Sequence, residues 1–316
     1  MMPRLVPLAL AAGLLSAVLH LSTEWSLLAA VVFSLAAPLP LFAAGLGLGL
    51  RGALIGAVAA VLVVGVVGGL PRAGLYAATD ALLVLGLVRF ALLNRTDAEG
   101  GTEWYPAGLL LTWLTLYCAV AFVVLALALG TGPDGLQAGI SGYVDGFRQV
   151  VAGANRDNPA LGSMFATLKR VFPFLVVTWW IIIMAANAVM AQKLLVRTGN
   201  ALRPSPNLAA TEVPGWLLPV TVAAAAVALV LSGWFGFVAT NIALILCVPY
   251  FLTGLAVIHA VSVRWNGRVA ILFAIYLLLV LFGWPLFVVT GLGMVEHWIG
   301  LRRRHAASSS GNERKE

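Results

Sequence analysis

Long runs of apolar residues alternate with short polar segments along almost the whole chain. The runs lie at about 5–21, 26–46, 52–70, 73–93, 107–130, 171–194, 214–233, 237–261 and 268–300. Since about 20 apolar residues in an α-helix span the hydrocarbon core of a bilayer, each run predicts a transmembrane helix. The pattern therefore predicts an all-α fold, that of a polytopic helical membrane protein with about nine crossings, plus or minus one.

The last apolar run is longer than one crossing requires. At about 1.5 Å per residue, a helix over 268–300 would exceed a hydrocarbon core of about 30 Å. The tripeptide "GWP" at 283–285 lies inside the run, and its proline is typical of a helix break. The run predicts either one helix that continues beyond the membrane or a hairpin of two short segments.

Residues 131–170 form the longest polar interruption. Apolar side chains recur there at spacings of three and four residues, at Leu136, Ile140, Tyr143, Phe147 and Val151. This spacing predicts an amphipathic helix that lies on the membrane surface or caps the bundle, with a plain connecting helix as the alternative. We expect one transmembrane bundle over 1–304, with 131–170 as an extramembrane insertion and 305–316 as a disordered polar tail.

The segment 41–69 is rich in glycine. Pairs of glycines four residues apart lie on one side of a helix, at Gly45/Gly49, Gly52/Gly56 and Gly65/Gly69. Glycines at this spacing allow the backbones of neighbouring transmembrane helices to approach closely. The segment is therefore predicted to be a packing surface between helices.

Composition agrees with a chain that lies in lipid. Of its 316 residues, 61% are hydrophobic and 10% are charged, and the mean hydropathy is +1.00. The net charge of +7 comes from Lys and Arg between the apolar runs, as in positively charged cytoplasmic loops, and predicts a cytoplasmic N-terminus. No basic stripe or aromatic platform accompanies the charge, so we expect no nucleic-acid binding.

Asp80 is an acidic residue inside a predicted span, and Tyr76 precedes it by about one helical turn. A carboxylate in hydrocarbon is costly unless it is paired, hydrated or protonated. Tyr76 lies on the same helix face and is expected to hydrogen-bond Asp80. We predict that both residues line a ligand or proton site. The alternative is that Asp80 is a structural hydrogen-bond anchor between helices.

The run 241–261 carries three residues that are unusual in hydrocarbon. Asn241 and His259 are 18 residues apart, which is about five helical turns, so they share one face at opposite membrane boundaries. Pro249 removes a backbone donor and predicts a kink, which is tolerated against protein or water. Asn241 and His259 are therefore predicted to line a polar cavity, and interfacial anchoring is the alternative.

Three further polar residues follow in the C-terminal half. Asn187 predicts a hydrogen bond between helices, since such amides commonly bond across them, and a ligand contact is the alternative. Glu296 shares a helix face with Arg303, which predicts an interfacial ion pair, while Glu296 beside His297 is the alternative of a proton relay.

Motifs of enzyme chemistry are absent from the sequence. It has no H-E-x-x-H, no G-x-S-x-G and no P-loop. Cys118 and Cys247 have no metal-ligand neighbours at useful spacing. We expect no enzymatic activity, no metal and no other cofactor.

From Asn187 onward the sequence resembles the YybS-like family of bacterial membrane proteins. The similar elements are "NAVMAQKLL", "RPSPNL", "VPGWLLP", "NIALILCVPYFLTGLAVIH" and "GLGMVEHWIGLRRR". The glycine-rich segment "PLPLFAAGLGLGLRGALIGAVAAVLVVGVVGG" is similar to the substrate-binding membrane subunits of energy-coupling-factor vitamin transporters. The first resemblance implies a multi-pass protein of the bacterial inner membrane. The second implies solute capture with partner subunits.

These features predict a transport-related membrane protein that binds a small solute or lipid-like molecule between its helices. Because no ATPase motif is present, we expect it to depend on protein partners or on an ion gradient in addition to the bilayer. The alternative is a non-transporting scaffold or assembly factor of the cell envelope. Such a factor would dock partners through 131–170 or through its basic C-terminus.

Overall fold

The fold is helical almost throughout. The computed structural model describes residues 2–22, 33–96, 100–132, 135–152, 158–207 and 211–299. The chain divides into two compact units: unit 1 contains Met1–Leu114 and Ile181–Leu208, and unit 2 contains Thr115–Trp180 and Ala209–Glu316. The predicted disordered tail, 305–316, lies outside the described residues.

Unit 1 begins with five helical elements. They are α1 (Met2–Leu21), α2 (Pro38–Leu48), α3 (Leu50–Gly68), α4 (Leu70–Tyr76) and α5 (Leu82–Ala91), with a π-helical segment, Ala77–Ala81, between α4 and α5. Two short strands follow, β1 (Asn94–Thr96) and β2 (Thr102–Trp104). The division between the units falls within α6 (Ala107–Leu129) and again within α8 (Pro159–Arg197).

Unit 2 contains the remaining helices. They are α7 (Leu136–Ala152), α9 (Leu217–Val230), α10 (Gly233–Val261), α11 (Arg268–Leu281) and α12 (Trp284–Ile299), with a short 3₁₀ turn, Ser262–Arg264, after α10. A cluster of buried apolar side chains joins the start of α9 to the middle of α10, and it includes Leu217, Leu246 and Tyr250.

Five helices in the described part of the chain are long and apolar enough to cross a membrane. They are Leu50–Gly68, Leu70–Ala91, Ala107–Leu129, Pro159–Arg197 and Gly233–Val261, and the bent pair of α11 and α12 makes a sixth if it is one span. Three further apolar helices are shorter than 18 residues. The chain is thus a helical membrane protein as predicted, but the predicted count of nine crossings is not confirmed.

The break predicted at "GWP" is present. Helices α11 and α12 are separated at Phe282 and Gly283 and are bent by 119°. Pro285 lies in the first turn of α12, where the missing proline N–H costs no intrahelical hydrogen bond. The last run is therefore two helices and not one long one.

Glycines bring helix backbones together in both units. In unit 1, a side chain on Gly13 of α1 would overlap the Gly56 carbonyl of α3, and one on Gly56 would lie 3.0 Å from the Ala9 carbonyl. In unit 2, a side chain on Gly293 of α12 would overlap the Tyr250 carbonyl of α10. Gly56 belongs to the predicted packing surface, so that prediction is confirmed at this position.

The strands β1 and β2 form a small antiparallel hairpin that the sequence pattern does not predict. Arg95 pairs with Glu103 across the hairpin, and Arg95 Nε lies 2.7 Å from Glu103 Oε2. Both side chains are largely exposed, so this ion pair adds little stability. Phe90 and Tyr105 stack with ring centroids 5.6 Å apart, which joins the hairpin end to α5.

Arg203 fastens the segment after α8 to the rest of unit 1. Its Nη1 donates a hydrogen bond of 2.8 Å to the carbonyl of Ala91, the last residue of α5. Its guanidinium lies over the Trp104 ring, 5.7 Å from the centroid. The carbonyl of Arg203 accepts a hydrogen bond from Gln192 Nε2 at 2.7 Å. Burial lowers the pKa of Arg203, but the cation still complements the negative end of α5.

Candidate functional site

Asp80 lies in the π-helical segment of unit 1 and is 1% exposed. Its Oδ2 is 2.7 Å from Thr79 Oγ1. Its Oδ1 is buried and has no hydrogen-bond partner among the described residues. π-Helical bulges often occur at functional sites, and acidic residues within membrane spans often mark ion or substrate sites.

Thr79 has one hydroxyl proton but two acceptors within reach. Its Oγ1 lies 2.7 Å from Asp80 Oδ2 and 3.0 Å from the Leu75 carbonyl. An ionised Asp80 needs that proton, because a carboxylate only accepts hydrogen bonds. A protonated Asp80 can instead donate to Thr79 Oγ1, while Thr79 donates to Leu75. The contacts at Oδ2 are therefore compatible with both protonation states of Asp80.

Tyr76 is fully buried and belongs to a separate chain of hydrogen bonds. Ser16 Oγ donates to the Ala37 carbonyl at 2.5 Å and lies 2.5 Å from Tyr76 Oη. Because a serine hydroxyl has one proton, Tyr76 is the donor to Ser16. The predicted hydrogen bond from Tyr76 to Asp80 is therefore absent, since Tyr76 donates to Ser16 of α1 instead. The His20 ring also packs edge-on against Tyr76, with centroids 4.8 Å apart.

The amide of Asn241 in unit 2 bonds to the backbone of α8. Its Oδ1 accepts from the Phe174 N–H at 2.9 Å, and its Nδ2 donates to the Arg170 carbonyl at 2.9 Å. In a regular α-helix these two backbone groups are the partners of one i to i+4 hydrogen bond. Nδ2 also donates to the Phe237 carbonyl of α10 at 2.9 Å. Asn241 thus bridges two helices next to Pro173, which lies inside α8.

His259 and Pro249 lie further along α10. His259 Nε2 is 2.8 Å from Tyr276 Oη of α11. Asn241 and His259 are about 27 Å apart along the helix, so they do not meet within unit 2. Helix α10 continues through the buried Pro249, whose carbonyl accepts from Thr253 Oγ1 at 2.9 Å.

Of the predicted C-terminal residues Glu296, His297 and Arg303, the structure describes only the side chain of Glu296. Glu296 is 5% exposed in α12. The side chain of His297 is not described, and Arg303 lies outside the described residues, so both the ion pair and the proton relay stay predictions. Asn187 makes the predicted contact: its Nδ2 donates at 2.8 Å to the carbonyl of Leu35, outside its own helix, and at 2.8 Å to Ile183.

An open cavity of about 480 Å³ lies in unit 2 between α7, α8 and the start of α10. Polar side chains of all three segments line it: Gln137, Ser141, Lys169, Arg170 and Ser232. Phe237 forms part of its apolar wall. Sequence reasoning missed this cavity, because adjacent cations before an apolar run, such as Lys169 and Arg170, occur at the ends of many membrane helices.

No group of three or more His, Cys, Asp or Glu residues arranged to hold a metal ion occurs in the described ranges of the chain. Cys118 and Cys247 are free thiols. Two candidate sites in the described part of the chain are thus Asp80 with its buried surroundings in unit 1 and the cationic cavity in unit 2.

The long apolar helices of this fold define a class, that of multi-pass helical membrane proteins. Within that class, the chain belongs to the family described as predicted membrane protein (DUF2232), whose family model matches residues 14–296. Neither the curated proteins nor the solved structures searched gave a match. The YybS-like name and the predicted similarity to energy-coupling-factor subunits are not among these findings and stay predictions.

Proposed function

We propose that this protein is transport-related and binds a small solute or lipid-like molecule between its helices, with Asp80 in the binding site. It has no ATPase motif of its own, so the proposal includes a partner subunit or an ion gradient as the energy source. We place it in the bacterial inner membrane with a cytoplasmic N-terminus, on the basis of the charge distribution between the apolar runs.

The observation that supports this proposal best is the unpartnered Oδ1 of the buried Asp80. Leaving a buried acceptor without a donor costs about 1–3 kcal/mol, and more if the group is charged. A proton, a cation or a donor group of a solute would remove this cost. A site of this kind binds its ligand most tightly when the ligand brings positive charge or hydrogen-bond donors.

The proposed roles of the other predicted residues follow from their contacts. Tyr76 forms a wall beside Asp80, since its hydroxyl proton is already donated to Ser16. Asn241 bonds to three backbone groups, and in the proposal it holds α8 against α10. His259 bonds to Tyr276 and holds the far end of α10 against α11.

The test is a thermal-stability screen of the purified protein against a panel of amines, amino acids, vitamins, metal cations and lipids. Native mass spectrometry of the same sample identifies molecules that co-purify. We expect compounds that stabilise the wild type to lose this effect with Asp80→Asn. Glu103→Gln removes an acidic group from the exposed hairpin and serves as the matched control, with the wild-type response expected.

Two results would overturn the proposal. The first is wild-type stabilisation and wild-type ligand occupancy in Asp80→Asn. The second is a panel in which no compound stabilises the wild type and no small molecule co-purifies. In either case Asp80 would be a structural group.

A scaffold or assembly factor is the second candidate, and the exposed apolar side of α7 favours it. Tyr143, Phe147 and Val150 are 68%, 52% and 83% exposed, while Ile140 and Val144 are buried. The exposed side chains form a stripe that a partner could cover. If this function is correct, Tyr143→Ser with Phe147→Ser abolishes co-purification of a membrane partner, and Asp80→Asn leaves it unchanged.

A further inference from the structure

The cavity of unit 2 has the size and lining of a small-molecule site. Its volume of about 480 Å³ lies within the range of about 300–1,000 Å³ that ligand pockets occupy. Two walls are helical, because α7 contributes Gln137 and Ser141 and α8 contributes Lys169 and Arg170. Ser232, just before α10, completes the polar lining.

The polar side chains that line this cavity can all donate hydrogen bonds. Lys169 and Arg170 carry only donors, while Gln137, Ser141 and Ser232 can donate or accept. None of the described residues that line the cavity is acidic. A ligand rich in acceptors therefore fits this lining better than a cation does.

The local charge is positive. Lys169 Nζ lies 2.7 Å from Asp145 Oδ2, which offsets one cation. The guanidinium of Arg170 has no hydrogen-bond or ion-pair partner among the described residues. Two cations against one carboxylate leave one positive charge at the cavity. Arg170 is the cation without a carboxylate partner. Its guanidinium has a planar arrangement of N–H donors that binds phosphate in a bidentate manner.

The walls of the cavity are held together by the amide of Asn241. It donates to the carbonyl of Arg170 on one wall and to the carbonyl of Phe237 on the other, each at 2.9 Å. It also accepts from the N–H of Phe174, one turn beyond Arg170. The backbone that carries Arg170 is therefore held against α10.

The position of the two cations along α8 indicates the depth of the cavity. Helix α8 has 39 residues and is about 58 Å long, which exceeds a hydrocarbon core of about 30 Å. Lys169 and Arg170 immediately precede the apolar part of the helix, 171–194. They therefore lie near the level of the lipid headgroups.

We infer that this cavity binds the phosphate group of an anionic ligand, with Arg170 as its principal contact and Lys169 as the second cation. The phosphate belongs either to the headgroup of a phospholipid or to a small water-soluble phosphate ester. This site does not depend on Asp80, and it stands whether or not the proposed transport function is correct.

The test measures binding to the full-length protein in a nonionic detergent by native mass spectrometry. Three probes distinguish the sources: short-chain phosphatidic acid as the lipid phosphate, glycerol phosphate as the free ester, and the matching diacylglycerol as a lipid without phosphate. We expect saturable binding of phosphatidic acid or of glycerol phosphate and none of diacylglycerol. Binding of both phosphates assigns the site to a phosphate ester in general, and binding of phosphatidic acid alone assigns it to a lipid headgroup.

Two variants test the assignment to Arg170. Arg170→Gln should weaken phosphate binding by about tenfold, the equivalent of one strong charge-assisted contact. Arg197→Gln is the matched control, because it removes an exposed arginine from the other end of the same helix, and it should bind as the wild type does. Unchanged thermal unfolding of both variants verifies that the fold is intact.

Three results would overturn the inference. They are the absence of saturable binding of either phosphate, wild-type affinity in Arg170→Gln, and an equal loss of affinity in Arg170→Gln and Arg197→Gln. The last result would mean that basic helix ends attract anions without a defined site.

Discussion

Replacing Asn241 by leucine tests whether its amide holds α8 against α10. The side chains are similar in volume, so the substitution removes hydrogen bonds without opening a large cavity. The bonds lost between the helices are those to the Phe174 N–H and the Arg170 carbonyl, both of 2.9 Å. The bond to Phe237 lies within α10 itself.

The expected cost follows from the number of bonds between helices. Hydrogen bonds between transmembrane helices contribute about 0.6 kcal/mol on average and about 1.7 kcal/mol at most. Two such bonds give about 1.2 kcal/mol, with an upper bound of about 3.4 kcal/mol. Phe174 and Arg170 can pair with each other after the amide is removed, which reduces the penalty. We therefore expect Asn241→Leu to lower the free energy of unfolding by about 1–2 kcal/mol.

The assay is reversible unfolding in mixed detergent micelles, followed by circular dichroism. Thr240→Val is the matched control, because Thr240 donates only within its own helix, to the Gly236 carbonyl at 2.7 Å, and we expect a change below about 0.5 kcal/mol. Asn241→Asp should be worse than Asn241→Leu, since a carboxylate cannot donate to the carbonyls of Arg170 and Phe237. Stability of Asn241→Leu equal to that of the control would refute the reasoning.

Two further predictions concern packing and anchoring. Gly293→Ala should destabilise the protein by about 1–3 kcal/mol through overpacking, because its methyl group would overlap the Tyr250 carbonyl. Gly291 has open space around it, so Gly291→Ala should not destabilise the protein. Thermal unfolding in detergent compares the two variants. Arg203→Ala should lower the free energy of unfolding by about 2 kcal/mol, the value of a charged hydrogen bond, because the Ala91 carbonyl loses its partner. Amide hydrogen exchange over 198–207 should become faster, and unchanged exchange would contradict this prediction.

The apolar runs predicted the existence of helices better than their ends. The run 107–130 became Ala107–Leu129, whereas 171–194 became part of Pro159–Arg197. Hydropathy indicates which residues lie in lipid. It does not indicate where a helix ends, because a helix can continue beyond the lipid through polar residues. The hairpin Asn94–Trp104 was missed because its strands are three residues long and exposed, which is too short for an alternating pattern.

The site residues were predictable by type but not by partner. Asp80 was chosen as a candidate because an acid in an apolar run is conspicuous. Ser16, which accepts the hydrogen bond of Tyr76, is 60 residues away in the chain. The cavity with Lys169 and Arg170 was missed because the ends of many membrane helices carry such cations. Lys169 and Arg170 differ from other cations at helix ends because α7 and Ser232 lie close to them. That proximity depends on tertiary packing.

Asp80 differs from several other buried polar residues of the described helices in the kind of hydrogen-bonding group that it carries. Thr112, Thr221 and Asn187 each donate to the carbonyl four residues earlier in their own helix. A helix offers carbonyl oxygens but few free N–H groups, so a side-chain donor finds a partner in its own helix more readily than an acceptor does. The Oδ1 of Asn187, like that of Asp80, is buried without a partner among the residues that the structure describes. An ionised carboxylate is a pure acceptor. The proposed function assigns the missing partner of Asp80 Oδ1 to a proton, a cation or a bound solute.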